Sequence, residues 1–253
     1  MPNSQQEWEK IADNFNAKWQ FPNCIGAVDG KHVALKAPAN SGSMYFNYKQ
    51  FHSIVLMAVV DACYKIIMFD IGVNGRHSDA GVFASSHMSS ALEDNTLHIP
   101  PDKPLPGRDV NTPYVIVGDE AFPLKCHVMK PYPAKGLTEE QRIFNYRLSR
   151  ARRVSENCFG IMVNRFAVLG HEMSVSPEKA TTITQACIAL HNFLRTECDA
   201  SYSQEVRRPG PGTWRRDLDH LAANQNAANA RGIRDELCDY FNSNGAVRWQ
   251  WEQ

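Results

Sequence analysis

Hydrophobic positions follow two different spacings along the first third of the chain. Near the N-terminus, large apolar residues stand three and four positions apart, which predicts an amphipathic helix over residues 5–19. Residues 53–60 and 66–73 are instead almost wholly apolar runs joined by a short polar turn, a pattern typical of two buried strands in an antiparallel hairpin. A helix followed by a sheet is therefore expected here.

Two shorter apolar runs each lead to an acidic residue. Residues 24–28 precede Asp29 and residues 114–117 precede Asp119, and a glycine adjoins each acid. Each run is predicted to be a strand that ends in a turn, and residues 33–35 carry a further strand signal. Both acids are therefore expected at the carboxyl ends of strands, which meet at one edge of an α/β sheet.

The remaining elements are predicted from helix caps, prolines and periodicity. They are a helix begun by Ser78 or Asp79 that runs to about residue 92, a proline-rich loop over 94–113, a short strand over 126–129, a helix capped by Thr138 that runs to about residue 169 with a break near Ser149, and a helix over 177–195. The last helix is expected to share one face among Ile183, Cys187, Leu190 and Leu194. This order predicts an α/β fold with a mixed five-stranded sheet flanked by helices.

Composition narrows the function without defining it. Lys and Arg together number 27, as do Asp and Glu, so any binding of nucleic acid must rely on a local basic patch or on a partner. The seven cysteines are scattered with no close pair, which is typical of reduced thiols in the cytosol or nucleus. No apolar run reaches about 18 residues, so no membrane span is expected.

Three acids are candidates for metal chemistry: Asp29, Asp119 and Glu156. The first two are predicted at converging strand ends, and the third lies on the long helix in the run RRVSENCFG. Carboxylates brought together repel one another and are costly to bury, so a cation is expected between them. Oxygen-only ligation favours Mg²⁺ or Mn²⁺, and two such ions about 4 Å apart would clamp a phosphate.

Each acid also has a purely structural interpretation. Asp-Gly is a common turn, and spacing alone explains Glu156 equally well as the ion-pair partner of Arg152, one helical turn before it. Asp79 is either the N-cap of its helix or an accessory acid near the metals. Basic residues close in sequence to the acids are candidate contacts to substrate phosphates, with a solvated turn as the alternative for Arg76. They are Lys31, His32, Arg76, Arg150, Arg152 and Arg153.

Six motifs stand in order along the chain. They are FPNCIGAVDGKHV (21–33), NYKQFHSIVLMAVVDA (47–62), VNGRHSDAGVF (73–83), VGDEAFPL (117–124), FNYRLSRARRVSENCFGIMVNRF (144–166) and ACIALHNFL (186–194). In these motifs, over about residues 8–195, the chain resembles the PIF/Harbinger transposase family and its domesticated relatives, the Harbinger transposase-derived nucleases. The tail IRDELCDYF (233–241) is similar to tails of animal members.

The resemblance implies an RNase H-like fold whose catalytic DDE triad maps to Asp29, Asp119 and Glu156. It implies a DNA endonuclease that uses two Mg²⁺ or Mn²⁺ ions and leaves a 3′-hydroxyl. Family members usually carry a helical recognition region before this domain, whereas this chain begins close to the domain. A separate Myb/SANT-like protein is therefore expected to supply DNA recognition and nuclear entry, with the nucleus as the main location and the cytoplasm as a second.

The chain is divided on this basis into four segments. They are an N-terminal helix (1–20), a DDE nuclease domain of RNase H-like type (21–199), a polar linker (200–230) and a C-terminal helix or tail (231–253). Two other functions stay open at this stage. One is a catalytically silent, domesticated module that binds DNA or protein, and the other is an RNase H-like nuclease that cuts RNA instead of DNA.

Overall fold

The computed structural model describes residues 1–197 and 226–251. Its first element is helix α1, Gln5–Trp19, which confirms the helix predicted from apolar spacing. The Ser4 side chain accepts a hydrogen bond from the Glu7 amide and so caps the start of the helix. Trp8 and Phe15 on its inner side are completely buried, so α1 contributes to the core.

Seven strands are described. They are β1 Cys24–Leu35, β2 His52–Val60, β3 Ile66–Asn74, β4 Lys103–Pro104, β5 Asn111–Thr112, β6 Val115–Val117 and β7 Val128–Met129. Five of them form one sheet in the order β3-β2-β1-β6-β7, while β4 and β5 pair as a separate ribbon. Strands β1, β2 and β3 are antiparallel neighbours, and β1, β6 and β7 run parallel. The predicted mixed five-stranded sheet of RNase H-like type is confirmed.

Strand β1 differs from its prediction. It continues without interruption to Leu35, because Ala27 to Leu35 pair one for one with β2. Nine consecutive pairs outweigh the turn tendency of Asp-Gly, so Asp29 lies in the middle of a strand, opposite Ala58. The prediction that Asp29 ends its strand is therefore wrong, whereas Asp119 does follow the end of β6.

The helix predicted from residue 78 to about 92 is two short helices. Helix α2 spans Asp79–Ala84 and helix α3 spans His87–Glu93. They are separate because Ser86 adopts an extended backbone, and its side chain accepts a hydrogen bond of 3.1 Å from the Ser89 amide to cap α3.

Helix α4, Glu139–Arg165, begins at a capping box in which Thr138 and Gln141 exchange hydrogen bonds. The break expected near Ser149 is absent, because buried residues continue at helical spacing on both sides of that position. A 3-10 turn, Ala167–Gly170, takes the place of the last predicted helical turn.

Helix α5, Pro177–Glu197, confirms the last predicted helix but buries another face. Leu190, expected inside, is 52% exposed, while His191 and Arg195 are buried. The reason lies in the turn between β2 and β3, whose backbone needs hydrogen-bond partners. His191 Nε2 lies 2.7 Å from the Tyr64 carbonyl, and Arg195 Nε donates to the Cys63 carbonyl at 3.0 Å.

Helix α6, Asn226–Phe241, packs against α4 and is followed by a 3-10 turn, Arg248–Trp251. Leu237 and Phe241 are completely buried, which confirms the predicted docking of the C-terminal helix. The predicted polar linker lies outside the described residues except for 226–230, which are helical. The division into four segments stays a prediction.

Two apolar clusters lie on opposite faces of the sheet. One joins Ala27 and Leu56 to the inner sides of α4, α5 and α6, and the other joins Val28 and Met57 to Trp8 and to the short helices. Since alternate strand residues share a face, Asp29 points toward α4 and its neighbour in sequence points away. No helix in the described part of the chain is long and apolar enough to cross a membrane.

Candidate active site

Asp29 lies on the α4 side of β1 and is 6% exposed. Its Oδ1 accepts a hydrogen bond of 2.9 Å from the Gly30 amide, and its Oδ2 accepts one of 3.4 Å from the Ser155 hydroxyl of α4. In the parallel pairing of β1 with β6, Ala27 stands opposite Val117. Asp29 and Asp119 each lie two residues beyond that pair, so the register places them level.

Asp119 and Glu156 meet at one guanidinium group. Nη2 of Arg152 lies 3.9 Å from Asp119 Oδ2 and 3.7 Å from Glu156 Oε1. Asp119 is also fixed by the Ala121 amide, which donates to its Oδ1 at 2.8 Å. The ion pair between Arg152 and Glu156 thus exists, and it draws the helix carboxylate toward the acid after β6.

Asp79 joins the acids from the opposite side of β1. Ser78 is the N-cap of α2, so the capping interpretation of Asp79 is wrong. The Asp79 carboxyl group lies directly over Gly30, where a Cβ atom would stand 2.2 Å from Asp79 Oδ1. Only glycine leaves room for this carboxyl group beside Asp29.

The acids perturb one another electrostatically. Burial raises the pKa of Asp29 to about 7; Arg152 opposes this rise, and Asp119 and Asp79 add to it. Burial also raises the pKa of Asp79 to about 6, with a further increase from Asp119 and a decrease from Lys49. Three aspartates from separate elements are therefore close enough for their charges to disfavour one another's ionisation.

The acids of the cluster offer the kind of ligand atom that a hard divalent cation prefers. The donors are carboxylate oxygens only, and ionising the buried Asp29 is costly without an added positive charge. In the structure, no group of three His, Cys, Asp or Glu side chains within residues 1–197 and 226–251 is arranged so that it could hold a metal ion. The positive charge between Asp119 and Glu156 is supplied by Arg152.

The predicted phosphate contacts near β1 lie in different surroundings. Lys31 Nζ stands 6.0 Å from the centre of the Phe159 ring, and burial lowers the pKa of this lysine. His32 Nδ1 is 2.8 Å from the Ser53 hydroxyl, and burial lowers the pKa of the ring to about 4, so His32 is neutral at pH 7. Arg76 is exposed in the turn after β3.

The basic residues of α4 point in several directions. Arg152 lies among the acids and Arg153 is exposed. Arg150 instead donates to Gln20 Oε1 at 2.7 Å and stacks on Trp249, with 4.0 Å from its guanidinium carbon to the ring centre. The structure therefore brings Arg152 to the acids and directs Arg150 elsewhere.

Sequence reasoning missed two residues of this site. Ser155 bonds to Asp29, and it lies four residues after the buried Ala151, so helical spacing could have placed it on the inner face. Lys49 acts on the pKa of Asp79 from the loop before β2. No spacing in the sequence links Lys49 to Asp79.

The raised pKa values make folding stability dependent on pH. Asp29 and Asp79 bind more protons in the folded protein than in the unfolded chain, for Asp29 between about pH 4, the ordinary value for Asp, and about pH 7. Their contribution to stability is therefore expected to fall as the pH rises through this window, whereas His32, with its pKa lowered to about 4, contributes in the opposite sense. Without divalent ions, Asp29→Asn should stabilise the protein at pH 7.5 by about 2–4 kcal/mol, and the gain should shrink toward pH 5.

Urea unfolding at both pH values in EDTA measures this effect. Asp102→Asn is the matched control, because Asp102 is exposed and its replacement should change stability by less than about 0.5 kcal/mol at either pH. A destabilising Asp29→Asn at pH 7.5, or a gain independent of pH, would contradict the assigned electrostatics.

The sheet order and the acids grouped around β1 and β6 place the molecule in the RNase H-like class. Within it, the chain belongs to the DDE superfamily endonuclease family, whose model matches residues 28–192. The matched range contains all four acids of the cluster. The resemblance to the PIF/Harbinger family is thereby confirmed.

Curated relatives agree with this assignment. The chain is 27% identical to the human protein named "Putative nuclease HARBI1" and 26% identical to its cattle counterpart, each over 93% of this chain and 64% of the relative. It is 25% identical to "Protein ALP1-like" of Arabidopsis thaliana, over 92% of this chain and 58% of the relative. The chain thus spans about three fifths of the length of these relatives. No solved structure gives a significant match.

Proposed function

We propose that the chain cleaves DNA phosphodiester bonds with Mg²⁺ or Mn²⁺ held by Asp29, Asp119 and Glu156, with Asp79 as a further acid. The observation that carries this proposal is the convergence of carboxylates from β1, α2, the end of β6 and α4, with the pKa of Asp29 raised to about 7. Ionised carboxylates grouped around the buried Asp29 destabilise the protein unless a cation compensates them. Membership of an endonuclease family supports the same function.

The protein residues have separable roles in this proposal. Two bound divalent ions would activate a water molecule and stabilise the leaving oxygen of the phosphodiester. Asp29 is oriented for ligation by the Gly30 amide and the Ser155 hydroxyl, and Asp119 by the Ala121 amide. Once ions neutralise the acids, Arg152 would be free to bind a phosphate oxygen of the substrate.

The balanced charge of the chain bears on how it would find its DNA target. With 27 basic and 27 acidic residues, it offers no large electrostatic attraction to DNA. We therefore propose that a Myb/SANT-like DNA-binding partner brings it to the target and into the nucleus, with the cytoplasm as a second location. Lys31, Arg76, Arg152 and Arg153 would then serve as local phosphate contacts.

A catalytically silent module that binds DNA or protein is the second candidate. It is favoured by Arg152, whose guanidinium group already lies against Asp119 and Glu156 and can substitute for a cation there. In that case the acids would serve the stability of the fold, and added Mn²⁺ would change neither stability nor activity.

Incubation of the protein with matched nucleic acids separates these functions. Duplex DNA, an RNA–DNA hybrid and RNA of one sequence are each incubated with Mn²⁺, Mg²⁺ or EDTA. The proposal predicts metal-dependent nicks in duplex DNA that carry a 3′-hydroxyl, together with a higher melting temperature in Mn²⁺. Cleavage of the hybrid or RNA alone would identify an RNA-directed nuclease. No cleavage and no stabilisation by Mn²⁺ would favour the silent module.

A further inference from the structure

The loop Met44–Phe51, which we call the aromatic loop, exposes large side chains next to the acids. Tyr48 is 56% exposed, Phe46 is 42% exposed and Met44 is 52% exposed. Such residues are usually covered in a folded protein, and several of them together in one short loop mark a binding surface. The loop lies within the range of the family model, but none of its residues belongs to the proposed catalytic set.

Hydrogen bonds of the buried Asn47 side chain hold the aromatic loop in one conformation. Asn47 is 3% exposed, and its Oδ1 accepts hydrogen bonds from the amides of Lys49 at 2.9 Å and Phe51 at 3.3 Å. Its Nδ2 donates to the Ser53 hydroxyl at 2.8 Å, which ties the loop to β2. The loop is therefore held in the conformation that presents Tyr48 to solvent, and little ordering is needed when a ligand binds.

The loop lies beside the proposed catalytic acids. The Tyr48 ring contacts the His32 ring edge to face, with 5.7 Å between the centres. His32 lies two residues after Gly30 and therefore on the same face of β1 as the Asp79 carboxyl group that covers Gly30, about 7 Å along the strand and on the opposite face from Asp29. The Lys49 ammonium group stands 5.4 Å from the Tyr48 ring centre.

We propose that the aromatic loop binds unpaired nucleotides of the DNA, next to the phosphodiester that is cut. Exposed aromatic rings beside ammonium groups are the arrangement that stacks single-stranded bases and contacts their phosphates. Bases inside an intact duplex are already stacked on one another, so the preferred substrate has a frayed or splayed end. The proposal rests on the proposed nuclease function and adds the form of DNA that the site accepts.

An apolar protein partner fits this surface less well. The cores of protein interfaces are depleted of lysine, whereas the Lys49 ammonium group stands against the exposed Tyr48 ring. A second lysine, Lys31, directly precedes His32, the residue that the Tyr48 ring contacts. A polyanion with flat apolar bases satisfies both the charges and the rings.

Binding of forked and blunt DNA tests this inference. Fluorescence anisotropy in Ca²⁺ compares a duplex with unpaired thymines at one end against a blunt duplex of equal length. A second fork carries 2-aminopurine, whose fluorescence reports stacking. Wild-type protein, Tyr48→Ala, Tyr48→Phe and the control Phe193→Ala are compared; Phe193 is an exposed aromatic residue on α5. Cleavage of both DNAs in Mn²⁺ is measured in parallel.

The inference predicts that the wild type prefers the fork and quenches 2-aminopurine. Tyr48→Ala should weaken fork binding at least about fivefold, with Tyr48→Phe and Phe193→Ala unchanged and blunt-duplex binding unaffected. Equal binding of fork and blunt duplex by the wild type, or an unchanged Tyr48→Ala, would overturn it. Tyr48-dependent fork binding without any cleavage would refute the nuclease proposal and retain this one. DNA cleavage that is unaffected by Tyr48→Ala would support the nuclease proposal and refute the role of the aromatic loop.

Discussion

Replacing Asp119 by Asn is expected to reduce metal-dependent DNA cleavage at least about 10³-fold, or about 4 kcal/mol of transition-state stabilisation. The amide keeps the shape of the side chain, so the hydrogen bond from the Ala121 amide can persist. It removes the negative charge that would bind the cation and that now pairs with Arg152. Glu156→Gln should have a similar effect for the same reason. Rates of duplex nicking in Mn²⁺ provide the measurement.

The exposed Asp102 supplies the matched control, since Asp102→Asn should leave the nicking rate within about twofold of the wild type. Circular dichroism and thermal unfolding show whether each variant is folded. If folded Asp119→Asn keeps more than a tenth of the wild-type rate, this carboxylate has no part in the chemistry.

Arg147→Ala is expected to destabilise the protein by about 3–5 kcal/mol. Arg147 is 1% exposed and donates to the Gly245 carbonyl at 3.1 Å, to Gln250 Oε1 at 2.7 Å and to the Gln20 carbonyl. Its truncation would remove a donor from all three acceptors, although Gln250 Oε1 would keep a hydrogen bond of 3.2 Å from the Val247 amide. It would also open a cavity against the Phe241 ring, whose centre lies 4.4 Å from the guanidinium carbon.

Urea denaturation measures this loss of stability. Arg153→Ala on the same helix is the control, because Arg153 is exposed and its truncation should change the free energy of unfolding by less than about 0.5 kcal/mol. A cost below about 1 kcal/mol for Arg147→Ala would mean that the C-terminal segment is held by its apolar contacts alone.

The spacing of apolar residues was enough to predict the elements whose buried positions repeat at regular helix or strand intervals. Helix α1 and the β2–β3 hairpin are of this kind, because apolar spacing there agrees with the face that packs. The length of β1 could not be read from its own residues. It depends on pairing with β2, which carries the strand through an Asp-Gly sequence that favours a turn.

Distant contacts decided the burial of charged residues. Arg147 and Arg153 look alike in sequence, yet Arg147 is buried by Gln250, 103 positions away. The buried face of α5 was mispredicted for a related reason: its polar residues bond to the backbone of the β2–β3 turn. Periodicity alone cannot identify a polar residue that is buried to satisfy another segment's backbone.

The candidate acids were predicted partly from spacing and partly from the ordered motifs. Spacing left Asp79 undecided between a cap and an accessory acid, and it left Glu156 undecided between a ligand and the partner of Arg152. The structure assigns the α2 cap to Ser78 and gives Asp79 the space over Gly30. It also contains the Arg152–Glu156 pair, so the role of Glu156 as a ligand stays a prediction.

Crystals of the protein grown with Mn²⁺ provide the most direct test that these acids form a metal-dependent cutting centre. Anomalous diffraction at the manganese edge locates the ions without reference to activity. Manganese is expected to be bound by Asp29 and Asp119, with Glu156 or Asp79 completing the protein ligands and Arg152 displaced from the acids. Crystals in which manganese is absent from these carboxylates, while Arg152 still lies between Asp119 and Glu156, would contradict this expectation.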